Sequence, residues 1–504
     1  MTPELLLALL SIIKTSIFKE SGSMDSIFEQ INSILASVFF FDIFFGKVEG
    51  SSMPFIVAWL VAGGVYMTFR FGFINVRMFS HAYKILTGKY RTADDDGEIT
   101  PFQSLTTALS ATVGLGNIAG VAIAIAVGGP GATFWMILAG FFGMTLKFTE
   151  VTLAQIYREK RPDGRIMGGA MQYLSKGLAA KGHRQTGRVL AALFAVLAIG
   201  GSLGAGNAFQ TSQALGVLTD RVPFFAHYPI VFGLIMAAVV GFVIIGGIKR
   251  IASTAEKIVP LMVLIYLAAS LFILIFHASQ VPSAIATIFH EAFTPSAAVG
   301  GMIGVLVQGF KRAAFSSEAG IGSAAIVHST AAVKYPVRQG MVALYEPFID
   351  TIVICTMTAL VIVTTGVYDP HGAFGDLVQA KQGAALTAAA YGTVISWFPV
   401  ILSASIILFA FSTMISWSYY GERSWTYLFG EKYTLVYKLI FISFTVMASI
   451  TSASAMLEFS DLLILTMSLP NIIGLYILQG DVKANLDLYL QKLKNGELDE
   501  ETIK

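Results

Sequence analysis

The sequence predicts an all-α integral membrane protein of about eleven transmembrane helices. Three observations carry that expectation. First, 55% of the 504 residues are hydrophobic, only 13% are charged, and the mean hydropathy is +0.71, whereas soluble domains carry about 25% charged residues. Second, apolar runs of about 20 residues, the length that crosses a bilayer as a helix, recur along the chain. Third, once the first run is set aside, ten remain as two groups of five. Each group opens with a run interrupted by glycine and hydroxyl residues.

The runs follow in order. Residues 1–50 hold two short apolar stretches, Leu5–Leu10 and Ile34–Phe45, and read as an outer or membrane-surface segment. The lysines there, Lys14 and Lys19, follow the first stretch, so it is no signal peptide. Residues 51–70 form an extra transmembrane helix (Met53–Phe69) and 71–102 a cytoplasmic loop. Residues 103–276 form the first five-helix repeat, with spans at 103–128, 132–156, 190–218, 229–247 and 257–276. Gly128-Gly129-Pro130-Gly131 makes the turn between the first two. Residues 277–297 form an outer loop. The second repeat, 298–479, has spans at 298–327, 340–365, 390–418, 434–450 and 457–479, and 480–504 is a tail. Five is odd, so the second repeat inserts upside down relative to the first.

Lysine and arginine set the orientation, because cytoplasmic loops carry the excess. With 70–102 inside, 27 of the 33 fall in inner segments and five in outer ones, with Lys147 inside a span. The N-terminus is then outside and the C-terminus cytoplasmic, in a cell membrane.

The centre of the first interrupted span reads Ser110-Ala111-Thr112-Val113-Gly114-Leu115-Gly116-Asn117. Glycine costs about 1 kcal/mol in a helix interior, so unwinding is cheap at Gly114 and Gly116. Unwound backbone is tolerated at membrane depth only where it lines a cavity. Close packing of helices through small residues is the competing reading. The second interruption is expected within Val307–Ser323, with its break at Gln308–Ala314. Interrupted spans at matching positions of two halves point to a transporter site.

Those residues are also familiar. The stretch 110–121, with Gly129–Met136, Phe315-Ser316-Ser317-Glu318-Ala319-Gly320-Ile321-Gly322-Ser323, and Ser412-Thr413 followed by Trp417 and Tyr419-Tyr420-Gly421-Glu422, resembles the alanine or glycine:cation symporter family. That family lies within the wider group sharing the leucine-transporter fold. The resemblance, from about residue 50 to 480, implies a 5+5 inverted repeat with discontinuous first and sixth core helices. It implies sodium-driven uptake of alanine, glycine or a similar small neutral amino acid. Many members carry an aromatic residue where Gln308 stands, so this position is a departure that bears on the preferred side chain.

Such a substrate brings two charges into low dielectric. The amides of Gly114, Leu115 and Gly116 meet its carboxylate, with Asn117 beside them. Carbonyls at Thr112 and near Gln308 and Gly309 meet its ammonium. By resemblance one sodium lies between the first and eighth core helices, held by the Ser110 and Val113 carbonyls and the Ser412 and Thr413 hydroxyls. A second would use Thr112 and Asn117. Hydroxyls of Ser412 and Thr413 that bond back to their own helix are the bland alternative. Gln210 shares a face with Asn207 and offers a further substrate contact. Trp417, one turn beyond Thr413, is placed to close over the substrate. No organic cofactor is implied.

Charges within spans need partners. Lys147 is expected to pair with Glu346 or Asp350. Glu150, Glu346 and Asp350 are the candidates for proton coupling, the alternative to sodium. Glu458 and Asp461 begin the tenth core helix, and Glu318 faces the inner vestibule. Lys160–Gly164 and Asp94-Asp95-Asp96 read as solvated turns.

Other classes are excluded. The seven histidines never pair at metal-ligand spacing. The single cysteine, Cys355, forms no disulfide framework. No basic stripe with interleaved aromatics marks a nucleic-acid surface. No His-Glu-x-x-His motif supports an enzyme.

Overall fold

The computed structural model describes residues 29–30, 32–33, 35–45, 52–162, 164–219, 222–293, 301–394, 397–451 and 453–500. Expectations placed on residues 1–28, 46–51, 298–300, 501–504 and Arg221 lie outside the described residues.

The fold is a helical bundle whose polarity is inverted relative to a soluble protein. Phe242, Leu264 and Ile275 are 66–72% exposed, while Lys147, Glu150, Glu346 and Asp350 are wholly buried. Apolar surface outside and charge held inside by polar partners is the arrangement a lipid solvent selects. Among the described residues six helices are long and apolar enough to cross a membrane, or seven when a pair bent by 50° is one span. Two shorter apolar helices, Phe55–Arg70 (α1) and Pro229–Ile244, have 16 residues each.

The bent pair is the first interrupted span. Helix α2, Pro101–Thr112, starts on a capping box, with Thr100 accepting from the Gln103 amide and Gln103 accepting from the Thr100 amide. It ends where Val113 turns extended at ψ 91°. A wide π-type turn, Gly116–Gly120, then leads into α3, Val121–Gly128. Gly129, at φ +71°, reverses the chain into α4, Ala132–Ile156. Helix α4 runs through the middle of the bundle. It packs against α1, against Gly301–Ser317 (α5) and against Pro336–Val342 (α6).

Two more wide turns, at Gly204–Ala208 and Phe348–Cys355, interrupt long helices. Neither is marked as a break by composition, yet they carry Asn207 and Asp350. Such turns concentrate at functional sites.

The second interruption lies elsewhere than expected. Helix α5 is continuous through Gln308–Ala314 and ends only at Ser317. The break falls at Glu318–Ala324, before the short helix Ala325–His328, with Glu318, Gly320 and Gly322 at φ +55°, +84° and +86°. One glycine, Gly309, within good helix formers is tolerated. Two glycines that adopt positive φ are not helical.

Helix Phe398–Phe429 (α7) begins later than expected and runs on through Tyr419 and Trp425. The last span divides at Met467 into Ala453–Thr466 (α8) and Ser468–Asn495 (α9), so most of the expected tail continues as helix. Lys160, Arg161 and Gly164 lie at a two-stranded hairpin, Glu159–Lys160 against Ile166–Met167, and Asp163 lies outside the described residues. The acidic run is tethered rather than merely solvated: Asp96 pairs with Lys160 at 2.7 Å and Asp94 with Lys334 at 3.0 Å.

Candidate functional site

The break in the first interrupted span is held open by its own asparagine. Asn117 Oδ1 accepts from the Gly114 amide at 2.8 Å, and the Asn117 amide donates to the Gly114 carbonyl at 3.2 Å. The Asn117 side chain thus reaches back three residues, as the third helical residue of a capping box does, and ties the break to the start of the second half-helix. The Gly114 amide is already satisfied, which leaves Leu115 and Gly116 to offer theirs.

Two helices press on the break from opposite sides. A Cβ on Gly114 would collide with the Thr413 hydroxyl of α7, and one on Gly116 would lie 3.1 Å from the Ser316 Cα of α5. Glycine is required at Gly114 by this approach rather than by φ.

Between α2 and α7 the oxygens converge. Thr413 donates to the Ser110 carbonyl at 3.1 Å, and Ser110 donates to the Ser412 carbonyl at 2.8 Å. The Ser412 hydroxyl turns back to Phe409 at 3.0 Å and the Thr112 hydroxyl to Ala108 at 3.3 Å. Ser412 therefore presents its carbonyl, not its hydroxyl, to this cluster. Val113, wholly buried, lies at the end of the same turn. An all-oxygen, uncharged donor set fits a hard monovalent cation.

On the other face of Asn117 lies a feature the expected site omitted. Its Nδ2 donates to both the backbone carbonyl (3.1 Å) and the carboxylate of Asp350. Asp350 also accepts from Ser316 at 2.9 Å and Thr351 at 2.7 Å. This carboxylate is fully buried, and among the described residues no cation lies within ion-pair distance of it. Uncompensated charge in low dielectric costs several kcal/mol, so the pocket around Asp350 is itself suited to a cation. Asp350 was readable as an intramembrane acid. Its partnership with Asn117 and Ser316 was not, because those residues lie 233 and 34 positions away in the chain.

Gln210 donates through Nε2 to Ala205 at 3.0 Å, and its Oε1 is buried without a partner. That oxygen lies 3.6 Å from where a Gly114 Cβ would be, aimed at the break. Asn207 diverges from it, bonding Phe441 and Thr445 on a neighbouring helix. Phe315 packs edge-on against Phe209, ring centroids 4.9 Å apart, next to Ser316. Gln308 sits seven residues, just under two turns, before Phe315 on α5, against Gly128, and Gly309 packs on Ala132 and Trp135 of α4. Neither supplies break carbonyls, because α5 is intact there.

Trp417 is one turn from Thr413, as expected, with its indole N–H donating to Glu318 at 2.8 Å and its ring against Gly201 and Gly206. Glu318 is buried and also holds Ser323, so it braces the second break rather than lining an open vestibule. Beyond them Lys147 pairs with Glu346 at 3.0 Å, which also holds His328. Asn471 of α9 joins Glu150, Tyr173 and the Gly320 carbonyl.

A model of the sodium:alanine symporter family matches residues 40–503. The sodium/alanine symporter AgcS of Methanococcus maripaludis is 37% identical over 88% of this chain and 95% of its own. The probable sodium/glutamine symporter GlnT and the putative sodium/proton-dependent alanine carrier YrbD, both of Bacillus subtilis, are 35% and 34% identical. They cover 88% and 84% of this chain, and 89% and 87% of their own. Among solved structures, MhsT in complex with L-phenylalanine has a TM-score of 0.50 at 14% identity, covering 77% of this chain and 99% of that one. That likeness places the chain in the same leucine-transporter-like fold.

Proposed function

Since this chain belongs to the sodium:alanine symporter family, and is thereby a multi-pass membrane transporter rather than an enzyme, we propose that it is a sodium-coupled symporter of alanine, glycine or a similarly small neutral amino acid. Cation-coupled amino-acid symport follows from the family. The ion and the substrate are the proposal.

The observation that carries it is the pair of oxygen clusters flanking one glycine break. Ser110, Val113, Ser412 and Thr413 form a neutral set on one side. Asp350, Asn117 and Ser316 form a charged set on the other. The substrate carboxylate docks on the Leu115 and Gly116 amides at the positive end of the second half-helix. The ammonium takes the unpartnered Gln210 oxygen and the Thr112 carbonyl. Phe315 limits the side chain to a small one. Ion and substrate share Asn117 and the same stretch of backbone, so each stabilises the arrangement the other needs. The two five-helix groups, 103–276 and 298–479, act as inverted halves that rock about this point, with the N-terminus outside. Trp417 and Glu318 close the inner end.

Labelled alanine uptake into proteoliposomes tests the reading. A sodium gradient should drive accumulation, and equal uptake with and without it defeats sodium coupling. Proton coupling is the second reading. The buried Asp350 carboxylate favours it, as does the likeness to the putative sodium/proton-dependent alanine carrier YrbD. A pH gradient that drives uptake in sodium-free medium would select it.

A further inference from the structure

At the end of the bundle that carries residues 71–102, a polar cavity of about 780 Å³ lies between three helices. Its walls are Tyr419, Arg423 and Thr426 of α7, the start of helix Gly247–Phe276, and Thr434 and Lys438 of helix Thr434–Ala448. The size is in the range of small-ligand pockets.

Four basic side chains line the cavity against three acidic ones, a formal excess of one positive charge. The acids are already engaged. Glu431 pairs with Arg165 at 3.2 Å and Glu422 with Lys438 at 3.3 Å, and Glu98 accepts from the Ile166 amide at 2.6 Å. Two cations are left over. Among the described residues neither Lys249 nor Arg423 has a carboxylate within ion-pair distance.

Arg423 is only 8% exposed. Its guanidinium lies 5.0 Å from the Tyr419 ring, its Nη1 rests on the Met167 sulfur at 3.3 Å, and its Nε has no hydrogen-bond partner. A buried charged donor without an acceptor is costly, and an oxyanion beside it removes that cost.

The backbone adds further donors. Helix Gly247–Phe276 is 30 residues long and starts without a side-chain cap, so its first N–H groups are left unpaired by the helix itself. Gly246, Gly247, Ile248 and Lys249 line the cavity, which brings the positive end of the helix dipole to it. Helix-start amides, an ammonium and a guanidinium together suit the several oxygens of a phosphate. Lipid-facing surface flanks the site: Phe242 and Ile245, just before Gly246, are 70% and 71% exposed. Basic pockets between helices take phospholipid headgroups.

We propose that this cavity binds a phosphate group, held by Arg423, Lys249 and the amides at the start of Gly247–Phe276. An anionic phospholipid headgroup or a soluble phosphate ester can supply it. Arg423 stands on the same continuous helix as Ser412 and Thr413, so occupancy bears on the helix that carries those oxygens. Binding is read without substrate, so its outcome does not depend on the transport reading.

The full chain, purified in neutral detergent and stripped of lipid, is melted at fixed ionic strength with phosphatidylglycerol, phosphatidylcholine, glycerol 3-phosphate or inorganic phosphate. Phosphatidylglycerol should raise the melting temperature by about 3 °C or more at saturation. Phosphatidylcholine, whose own ammonium offsets its phosphate, should raise it clearly less. Arg423→Gln should raise the half-saturating concentration about tenfold. Lys249→Gln, at an exposed position, should raise it about fivefold and serves if Arg423→Gln fails to fold. Lys89→Gln, an equal loss of charge at the same end, should leave it within about twofold. A shift with glycerol 3-phosphate or inorganic phosphate that both variants weaken assigns the site to a soluble ester, and a shift with phosphatidylglycerol alone assigns it to the lipid. No stabilisation by any of the four, equal stabilisation by phosphatidylcholine, or a shift that either variant leaves unchanged overturns the proposal.

Discussion

The Trp417 indole donates to Glu318 at 2.8 Å, and both side chains are buried to within 1% of full coverage. This bond ties α7, one turn below Thr413, to the first residue of the second break. Trp417→Phe keeps the ring and leaves the Glu318 oxygen without its donor. That costs about 1–3 kcal/mol, enough to loosen the segment Glu318–Ala324 by about fivefold or more. Hydrogen–deuterium exchange over that segment should quicken accordingly. Glu318→Gln retains an acceptor and should change exchange less.

Asp350 is the charged member of the site. Asp350→Asn keeps the shape and can still accept from Ser316. If it holds sodium, the sodium concentration for half-maximal uptake should rise at least tenfold while alanine affinity at saturating sodium stays within about threefold. If it carries a coupled proton instead, sodium dependence should be unchanged and pH-driven uptake lost.

Gly114 is forced by packing. Gly114→Ala drives a methyl into the Thr413 hydroxyl and displaces it from the Ser110 carbonyl. Sodium-dependent alanine binding, measured with labelled substrate, should fall below detection. Gly120→Ala is the control. It lies in the wide turn that follows Gly114, but its Cβ would meet nothing within 4 Å, and binding should be nearly unchanged.

The sequence shows some of this site and hides the rest, for a physical reason. The break at Gly114–Gly116 is visible because two glycines in an apolar run can mean little else but unwinding or close approach, and both occur. The Lys147–Glu346 pair was foreseeable because lone charges inside a span need partners. The second break was misplaced because glycine spacing alone does not reveal φ. Gly309 sits in helix pressed on Trp135, while Gly320 and Gly322 turn at positive φ. Asp350 and Ser316 were absent from the expected binding set because their link to Asn117 is tertiary. Likewise Lys311 and Arg312 belong with the inner segments only if the break precedes them; with α5 helical to Ser317 they lie instead near Val127, at the end of the bundle that carries Gly128.

At the end that carries residues 71–102, His81 lies against the Tyr489 hydroxyl at 2.9 Å. Burial, then the nearby Lys84, Arg338 and Lys89 charges, pushes its pKa down from 6.5 to about 4. The folded state thus binds the proton less readily than the unfolded one, so stability rises with pH across this window. The full contribution is present above about pH 6.5 and is lost on acidification toward pH 4. Solvent at this half-buried site keeps the effect modest. The melting temperature in detergent should drop between pH 7 and pH 5. His81→Gln should flatten that slope, and an unchanged slope would remove His81 as its cause.

Lys147 and Glu346 are both fully buried, 3.0 Å apart, and His328 bonds the same carboxylate. Removing one member of such a pair strands the other, at about 3–5 kcal/mol. Removing both charges forgives most of that cost, because desolvation is no longer imposed on either. Lys147→Met should therefore lower the melting temperature and yield sharply, and Lys147→Met with Glu346→Gln should recover most of the loss. Because the pair sits between α4 and the wide turn that carries Asp350, its second role shows in transport. The double variant should fold yet move alanine more slowly if the pair also latches the inner end. Wild-type rates in the double variant would make the pair purely structural, and additive losses in the two single variants would mean that the charges do not act together.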